Sequence, residues 1–131
     1  MMNDNEKKVL ENSNWDLATC LNGKPNVVPV ASKSISKSGE LLIGDVFLVT
    51  TLKNVLENNG EIAISAYDAS ILEGYQIQGK AKYVTEGDVV DMFKEQVSSM
   101  FKGAATAKGA LIVSVDRVIV TTPGAENKKV L

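Results

Sequence analysis

A group of polar side chains stands where a strand pattern changes into a helical one. Thr50 and Thr51 follow the apolar segment that ends near Phe47, and Lys53 and Asn54 lie within the next turn. The first N–H groups of a helix are free and carry the positive end of its dipole, so this position favours an anion. Hydroxyl, amide and ammonium groups can all donate hydrogen bonds to phosphate. The segment therefore has the outline of a phosphate site, but taken alone it favours the structural alternative, a threonine N-cap beside a solvent-facing Asn54, because threonine caps are common.

The chain has no histidine and one cysteine, Cys20, among its 131 residues. These counts exclude Ser-His and Cys-His nucleophilic pairs, the HExxH motif and a structural zinc site. An enzyme of this composition must rely on a cofactor for its difficult step. Cys20 falls within a predicted strand and is interpreted as a small buried side chain, while Trp15, at the start of that strand, is interpreted as a core or interface aromatic.

Charge and hydropathy predict one cytoplasmic domain over residues 1–131. The 14 basic and 16 acidic residues are scattered and leave a charge of -2, and only 5% of residues are aromatic. The chain therefore lacks both the basic surface and the stacking platform of a nucleic-acid-binding protein. No apolar run approaches membrane-spanning length, and the polar start lacks the apolar centre of a signal peptide. A single cysteine cannot form an internal disulfide, which agrees with a reducing compartment.

Apolar periodicity divides the chain into three helices and six strands. The predicted helices cover residues 4–12, a segment from 50–51 to a stop at Asn59–Gly60, and residues 89–101 after a sequence that resembles a capping box, Thr85–Asp88. The predicted strands cover residues 15–21, 26–35, 41–47, 62–67, 72–84 and 110–120. Turns at residues 22–25 and 36–39 join the first three strands in antiparallel hairpins. Six antiparallel strands in a small domain close into a barrel, which hides their edges.

Four segments along the chain resemble the pyridoxamine 5'-phosphate oxidase-like family of FMN-binding split barrels. They are Gly23–Ala31, Asp45–Asn58, Gly79–Ala81 and Thr122–Gly124, and they occur in the family's order. The sequence is most similar to small single-domain flavin-binding members. The resemblance implies a mainly β fold with flanking helices, a six-stranded antiparallel Greek-key split β-barrel.

The resemblance also implies where FMN binds. The phosphate is expected at the start of the short helix, on Thr50, Thr51 and Asn54, with Lys53 close by. Asp45 and Val46 are expected where the third strand approaches the cofactor. The flavin ring is expected along the strand residues Val28, Pro29, Val30, Ala31 and Ser32. Family members usually form this pocket between two subunits, so a homodimer is implied.

Two positions depart from the family's pattern. Family members generally carry Lys or Arg where this chain has Thr50, so the charge that holds the phosphate must come from Lys53 or from a lysine elsewhere, such as Lys33. Pro29 has no N–H and cannot donate to the flavin ring, so Val30 or Ala31 must do so.

The leading functional prediction is a flavin-dependent oxidoreductase or electron carrier that uses FMN. Pyridoxamine phosphate oxidation itself depends in the family on basic and histidine contacts to the substrate, and this chain has no histidine. One alternative is a relative that binds a deazaflavin. The other is a non-catalytic dimeric barrel that stores or senses a small ligand.

Overall fold

The computed structural model describes residues 2–131, which form three helices and seven strands. The helices are α1 (Asp4–Asn12), α2 (Val49–Glu57) and α3 (Asp88–Met100). The strands are β1 (Trp15–Leu21), β2 (Lys24–Pro29), β3 (Lys33–Ile35), β4 (Leu41–Asp45), β5 (Glu61–Asp68), β6 (Glu73–Val84) and β7 (Gly109–Val120). The mainly β class with flanking helices is confirmed, but the expected number of six strands is wrong. Within the described chain, no helix is long and apolar enough to cross a membrane.

The additional strand arises because the predicted strand 26–35 is two strands. The Val30 N–H still donates to the Trp15 carbonyl on β1 (3.0 Å), whereas the Ser32 carbonyl already accepts from the Gly44 N–H on β4 (2.9 Å). The chain therefore changes partner strands across Val30, Ala31 and Ser32. No Asn-Gly or other glycine turn signal stands at residues 30–32, so the sequence was interpreted as one continuous strand.

The strand order requires the sheet to curl. All neighbours pair antiparallel in the order β2-β1-β5-β6-β7-β4-β3, so β2 and β3 lie at opposite edges. Seven flat strands would place these edges about 29 Å apart, but the short connection spans at most about 14 Å. The two edges must therefore approach each other, which is consistent with a split barrel. We call residues 30–32, where the edges meet, the seam.

Two apolar clusters support this sheet. The larger one contains inward-facing strand residues such as Trp15 and Ile77, covered by Leu10 of α1 and Val55 of α2. The smaller one packs α3, centred on Phe93, against the opposite face of β4 and β7.

Two local expectations are wrong. Cys20 is exposed, because Leu17 and Thr19 of β1 face inward and the alternation of the strand turns Cys20 outward. Helix α3 has no capping box: its N-cap is Gly87, at φ 112°, and no side chain caps the first turn.

Candidate functional site

The turn from β4 into α2 is organised by one buried carboxylate. Asp45 is 1% exposed; its Oδ1 accepts the Leu48 N–H (3.1 Å) and its Oδ2 accepts the Tyr83 hydroxyl (2.7 Å). Leu48 is the N-cap residue of α2, and no side chain caps this helix. Burial raises the pKa of Tyr83 to about 12, and the hydrogen bond to Asp45 and the charge of Asp45 act in the same direction. Asp45 thus joins the start of α2 to β6.

The first turn of α2 has two backbone donors without acceptors. The Val49 N–H donates to the Phe47 carbonyl and the Leu52 N–H to the Leu48 carbonyl, both at 3.0 Å. Among residues 2–131, no protein acceptor lies within hydrogen-bond reach of the intervening N–H groups of Thr50 and Thr51. Thr51 is therefore inside the helix and is not its N-cap. This helix start has the free donors that an anion needs.

The side chains of Thr51 and Asn54 attach α2 to the β1–β2 hairpin. Thr51 Oγ1 accepts from Asn26 Nδ2 (3.0 Å), and Asn54 Nδ2 donates to Thr19 Oγ1 (2.9 Å). Thr19, Thr51 and Asn54 are buried. We call Thr19, Asn26, Thr51 and Asn54 the hairpin network. The expectation of a solvent-facing Asn54 is wrong, because α2 lies on the hairpin at this point.

A cavity of about 330 Å³ lies between α2 and the hairpin, next to this network. Three predicted phosphate residues, Thr50, Lys53 and Asn54, line it. The hairpin contributes Leu21, Asn22, Lys24, Pro25 and Asn26. We call this space between α2 and the hairpin the hairpin cavity. Its two lysines make it suitable for an anion. Sequence reasoning missed Lys24 because no local pattern shows that the hairpin folds against α2.

The predicted ring-binding residues lie on β2 and in the seam. Val28 packs against the larger apolar cluster, while Pro29 and Ala31 are exposed. Because the Val30 N–H is bonded to the Trp15 carbonyl, only Ala31 of the two expected donors has an N–H without a partner among residues 2–131. Ser32 is 1% exposed, and its Oγ has no hydrogen-bond partner in the described chain.

Lys33 is engaged away from the start of α2. Its ammonium group bonds to the Ser13 carbonyl, lies 3.4 Å from the Leu10 carbonyl and stands 5.0 Å from the centroid of the Trp15 ring. Burial lowers the pKa of Lys33. This lysine therefore caps the end of α1, where free carbonyls attract a cation. Lys24 and Lys53 are the lysines that the structure brings to the hairpin cavity.

The predicted site residues thus fall into two groups. Thr50, Lys53 and Asn54 line the hairpin cavity, with Thr51 bonded beside it, whereas the residues Val28, Pro29, Val30, Ala31 and Ser32 follow the edge of β2 into the seam. Asp45 connects the two, because the hydrogen bond from Gly44 to Ser32 holds the seam next to it. Val46 is buried and packs into the smaller apolar cluster, toward α3.

Replacing Tyr83 by phenylalanine is expected to lower the free energy of unfolding at pH 7 by about 1–3 kcal/mol, because the Asp45 carboxylate loses a charge-assisted hydrogen bond. The pKa of Tyr83 is raised from 10.0 to about 12 in the folded protein. The stabilisation by the neutral phenol is therefore complete below pH 10 and is lost as the pH rises through 12. Urea unfolding at several pH values measures this.

The matched control is Tyr67→Phe, since Tyr67 is exposed and its hydroxyl has no hydrogen bond within residues 2–131. This variant should match the stability of the parent protein at pH 7. A stability difference for Tyr83→Phe that stays constant from pH 7 to above pH 11 would contradict the assigned hydrogen bond.

Comparisons with known proteins agree with this fold. The family model described as pyridoxamine 5'-phosphate oxidase matches residues 2–125. An uncharacterized protein of Methanocaldococcus jannaschii is 30% identical over 127 residues, which cover 95% of this chain and 83% of that protein. The structure of HupZ from Group A Streptococcus is 26% identical, with a TM-score of 0.82, over 96% of this chain and 98% of that one.

Two more distant structures share the fold. An FMN-binding protein from Syntrophomonas wolfei is 13% identical, with a TM-score of 0.75, over 92% of this chain and 90% of that one. An F420 reductase is 16% identical, with a TM-score of 0.67, over 89% of this chain and 98% of that one. The family match extends over nearly all of the chain, from α1 to beyond the end of β7, and on this ground the protein belongs to the pyridoxamine 5'-phosphate oxidase family.

Proposed function

We propose that this chain is a single FMN-binding domain that works as a homodimeric flavin-dependent oxidoreductase or electron carrier. The observation that carries the proposal is the start of α2, where the N–H groups of Thr50 and Thr51 have no acceptor within residues 2–131. Thr50 also lines the hairpin cavity, together with Lys24 and Lys53. A phosphate monoester carries up to two negative charges and several acceptor oxygens. Free N–H donors and ammonium groups complement both properties.

The residues present fit a phosphorylated flavin. Thr50 carries no charge, but Lys24 and Lys53 line the same cavity and compensate for it. The seam offers the polar atoms that a ring system needs, since the Ala31 N–H and the buried Ser32 Oγ have no partners within residues 2–131. The exposed side chains of Pro29 and Ala31 offer apolar contact there.

When bound, FMN supplies hydride and electron transfer, which no side chain of this protein can perform. The protein's part is to bind and orient. The N–H groups of Thr50 and Thr51 hold the phosphate, and Lys24 and Lys53 neutralise its charge. The Ala31 N–H donates to an acceptor atom of the ring, because Pro29 has no N–H and that of Val30 is used by Trp15. No side chain of the site is assigned as a catalytic acid or base.

The homodimer is supported by exposed apolar side chains beside the proposed phosphate site. Phe47 is 70% exposed and Val49 is 74% exposed, and both lie in the turn that leads into α2. Phe47 contacts Phe101 edge to face, with ring centroids 6.2 Å apart. Large apolar side chains of this kind on a surface are typical of an interface with another chain.

A deazaflavin is the second candidate cofactor, favoured by the structural similarity to an F420 reductase. The structural similarity to an FMN-binding protein supports FMN in the same way. A non-catalytic storage or sensing barrel is the remaining alternative. The absorption spectrum of the purified protein, followed by titrations with FMN and with a deazaflavin, distinguishes these proposals. Flavin bands or saturable quenching of FMN fluorescence support FMN, whereas binding of the deazaflavin alone contradicts it.

Replacing Thr51 by alanine is expected to raise the Kd for FMN about tenfold, because the hairpin network loses the hydroxyl that positions the start of α2. The control is Thr121→Ala, which removes the same group from a half-buried threonine beyond the end of β7 and should leave the Kd unchanged. Quenching of flavin fluorescence gives both constants. Equal effects of the two substitutions would contradict the placement of the phosphate at α2.

A further inference from the structure

The proposed phosphate site has a carboxylate next to it. Asp45 lies three residues before Leu48, the N-cap of α2, and is almost completely buried. A carboxylate this close to a bound phosphate raises the energy of both anions, and the effect is larger where water is excluded. A site that binds a phosphorylated ligand therefore needs donors that stabilise the charge of Asp45.

Two donors provide this stabilisation, and one of them comes from a distant strand. The Leu48 N–H binds Oδ1, and the Tyr83 hydroxyl binds Oδ2. Tyr83 belongs to β6, Asp45 belongs to β4, and β7 lies between them in the sheet. The tyrosine must therefore extend across β7 to reach the carboxylate.

The intervening strand is adapted to this crossing. The residue of β7 that pairs with Asp45 is Gly109, and a Cβ there would collide with the hydroxyl and ring of Tyr83. The Lys108 N–H, one residue before, donates to the Asp45 carbonyl (2.8 Å) and fixes the end of β4. The contact between Tyr83 and Asp45 thus depends on β6, which carries the tyrosine, on β4, which carries the carboxylate, and on the glycine of β7 between them.

We propose that Tyr83 is a positioning residue that gives the site its preference for a phosphorylated flavin over the same flavin without phosphate. Its hydroxyl shares the negative charge of Asp45 and holds the turn that presents the N–H groups of Thr50 and Thr51. This inference rests on the proposed function, since it concerns the same phosphate. It assigns a role to a side chain that does not itself touch the ligand.

The test compares the Kd of FMN with that of riboflavin, which has the same ring and no phosphate. Tyr83→Phe is expected to raise the Kd for FMN about tenfold and to change the Kd for riboflavin less than about twofold. Tyr67→Phe, which removes an exposed hydroxyl, should change neither constant. A merely structural role for Tyr83 would raise both constants by the same factor, and this outcome would overturn the inference.

A second experiment, in the Asp45→Asn variant, tests whether Tyr83 acts through the negative charge of Asp45. Asp45→Asn replaces the carboxylate by a neutral amide. Adding Tyr83→Phe to this variant is therefore expected to change the Kd for FMN less than about twofold. A tenfold loss in this background as well would show that the charge of Asp45 is not what Tyr83 acts on. If Tyr83→Phe alone does not fold, Asp45→Asn is measured alone. It is then expected to bind FMN at least as tightly as the parent, and a selective loss of FMN affinity overturns the inference.

Failure of the proposed function gives a different result. A parent protein that binds neither flavin, or that binds riboflavin as tightly as FMN, has no phosphate site at α2, and both proposals fall. A parent protein that prefers FMN, with a Tyr83→Phe variant that retains the whole preference, refutes only the role of Tyr83.

Discussion

Replacing Trp15 by alanine is expected to lower the free energy of unfolding by about 3–5 kcal/mol, the usual cost of removing a large buried aromatic side chain. Trp15 is 1% exposed and begins β1. Its Nε1 donates to the Leu10 carbonyl at the end of α1 (2.8 Å), and its ring lies next to the ammonium group of Lys33. The substitution therefore leaves a cavity, an unpaired carbonyl and an ammonium group without its aromatic neighbour.

Trp15→Phe separates these contributions. Phenylalanine keeps most of the apolar contact and the neighbour of Lys33 but loses the indole donor, so we expect a smaller loss of about 1–2 kcal/mol. Trp15 is the only tryptophan in the chain, so unfolding in urea must be followed by far-ultraviolet circular dichroism. A loss below about 2 kcal/mol for Trp15→Ala would indicate that α1 and β3 do not depend on this side chain.

Gly79→Ala is expected to cost about 2–4 kcal/mol of folding free energy, because the added methyl group has no space. Gly79 lies in β6 where the register against β7 shifts, so that Asp116 is the extra residue of a β-bulge. A Cβ at this position would run into the Ser114 carbonyl oxygen and lie 3.1 Å from the Val113 side chain. The backbone of a central strand pair cannot move aside as a flexible side chain does.

The control for this steric effect is Gly39→Ala in the turn between β3 and β4. Gly39 has φ 89°, and nothing lies within 4 Å of an added Cβ, so only the left-handed conformation is penalised, by about 1 kcal/mol. Thermal and urea unfolding of the two variants give the comparison. If Gly79→Ala costs no more than Gly39→Ala, the strands separate more easily at the bulge than their close contact implies.

The parts of the fold that sequence predicted correctly are those with local signals. The bounds of α1 were predicted at Asp4 and Asn12, as observed. The turn at Asn22–Gly23 and the left-handed turn at Asn59–Gly60, which follows α2, were also predicted; all four residues have positive φ, which asparagine and glycine accept most readily. In each case the residue type itself determines the local conformation.

The parts that sequence could not predict depend on contacts between distant segments. The division of residues 26–35 into β2 and β3 follows from a change of partner from β1 to β4, and no glycine turn signal marks this change in the sequence. Thr51 and Asn54 were found as polar residues of a helix start, but their burial depends on the β1–β2 hairpin packing against α2. Lys24 and Tyr83 reach the site only through that packing and through the strand order.

The seam has a consequence for the order in which the protein folds. The hairpins β1–β2 and β3–β4 join neighbouring residues and can form early. The pairing of β4 with β7 joins residues 41–45 to residues 109–113, and the entropy lost in closing a loop increases with its length. The hydrogen bonds of the seam, from Val30 to Trp15 and from Gly44 to Ser32, extend the two hairpins and do not require this distant pairing. We therefore expect Val30 and Ser32 to be placed together with the hairpins, and the β4–β7 pairing that closes the sheet around the proposed ring site to form in a later, slower step.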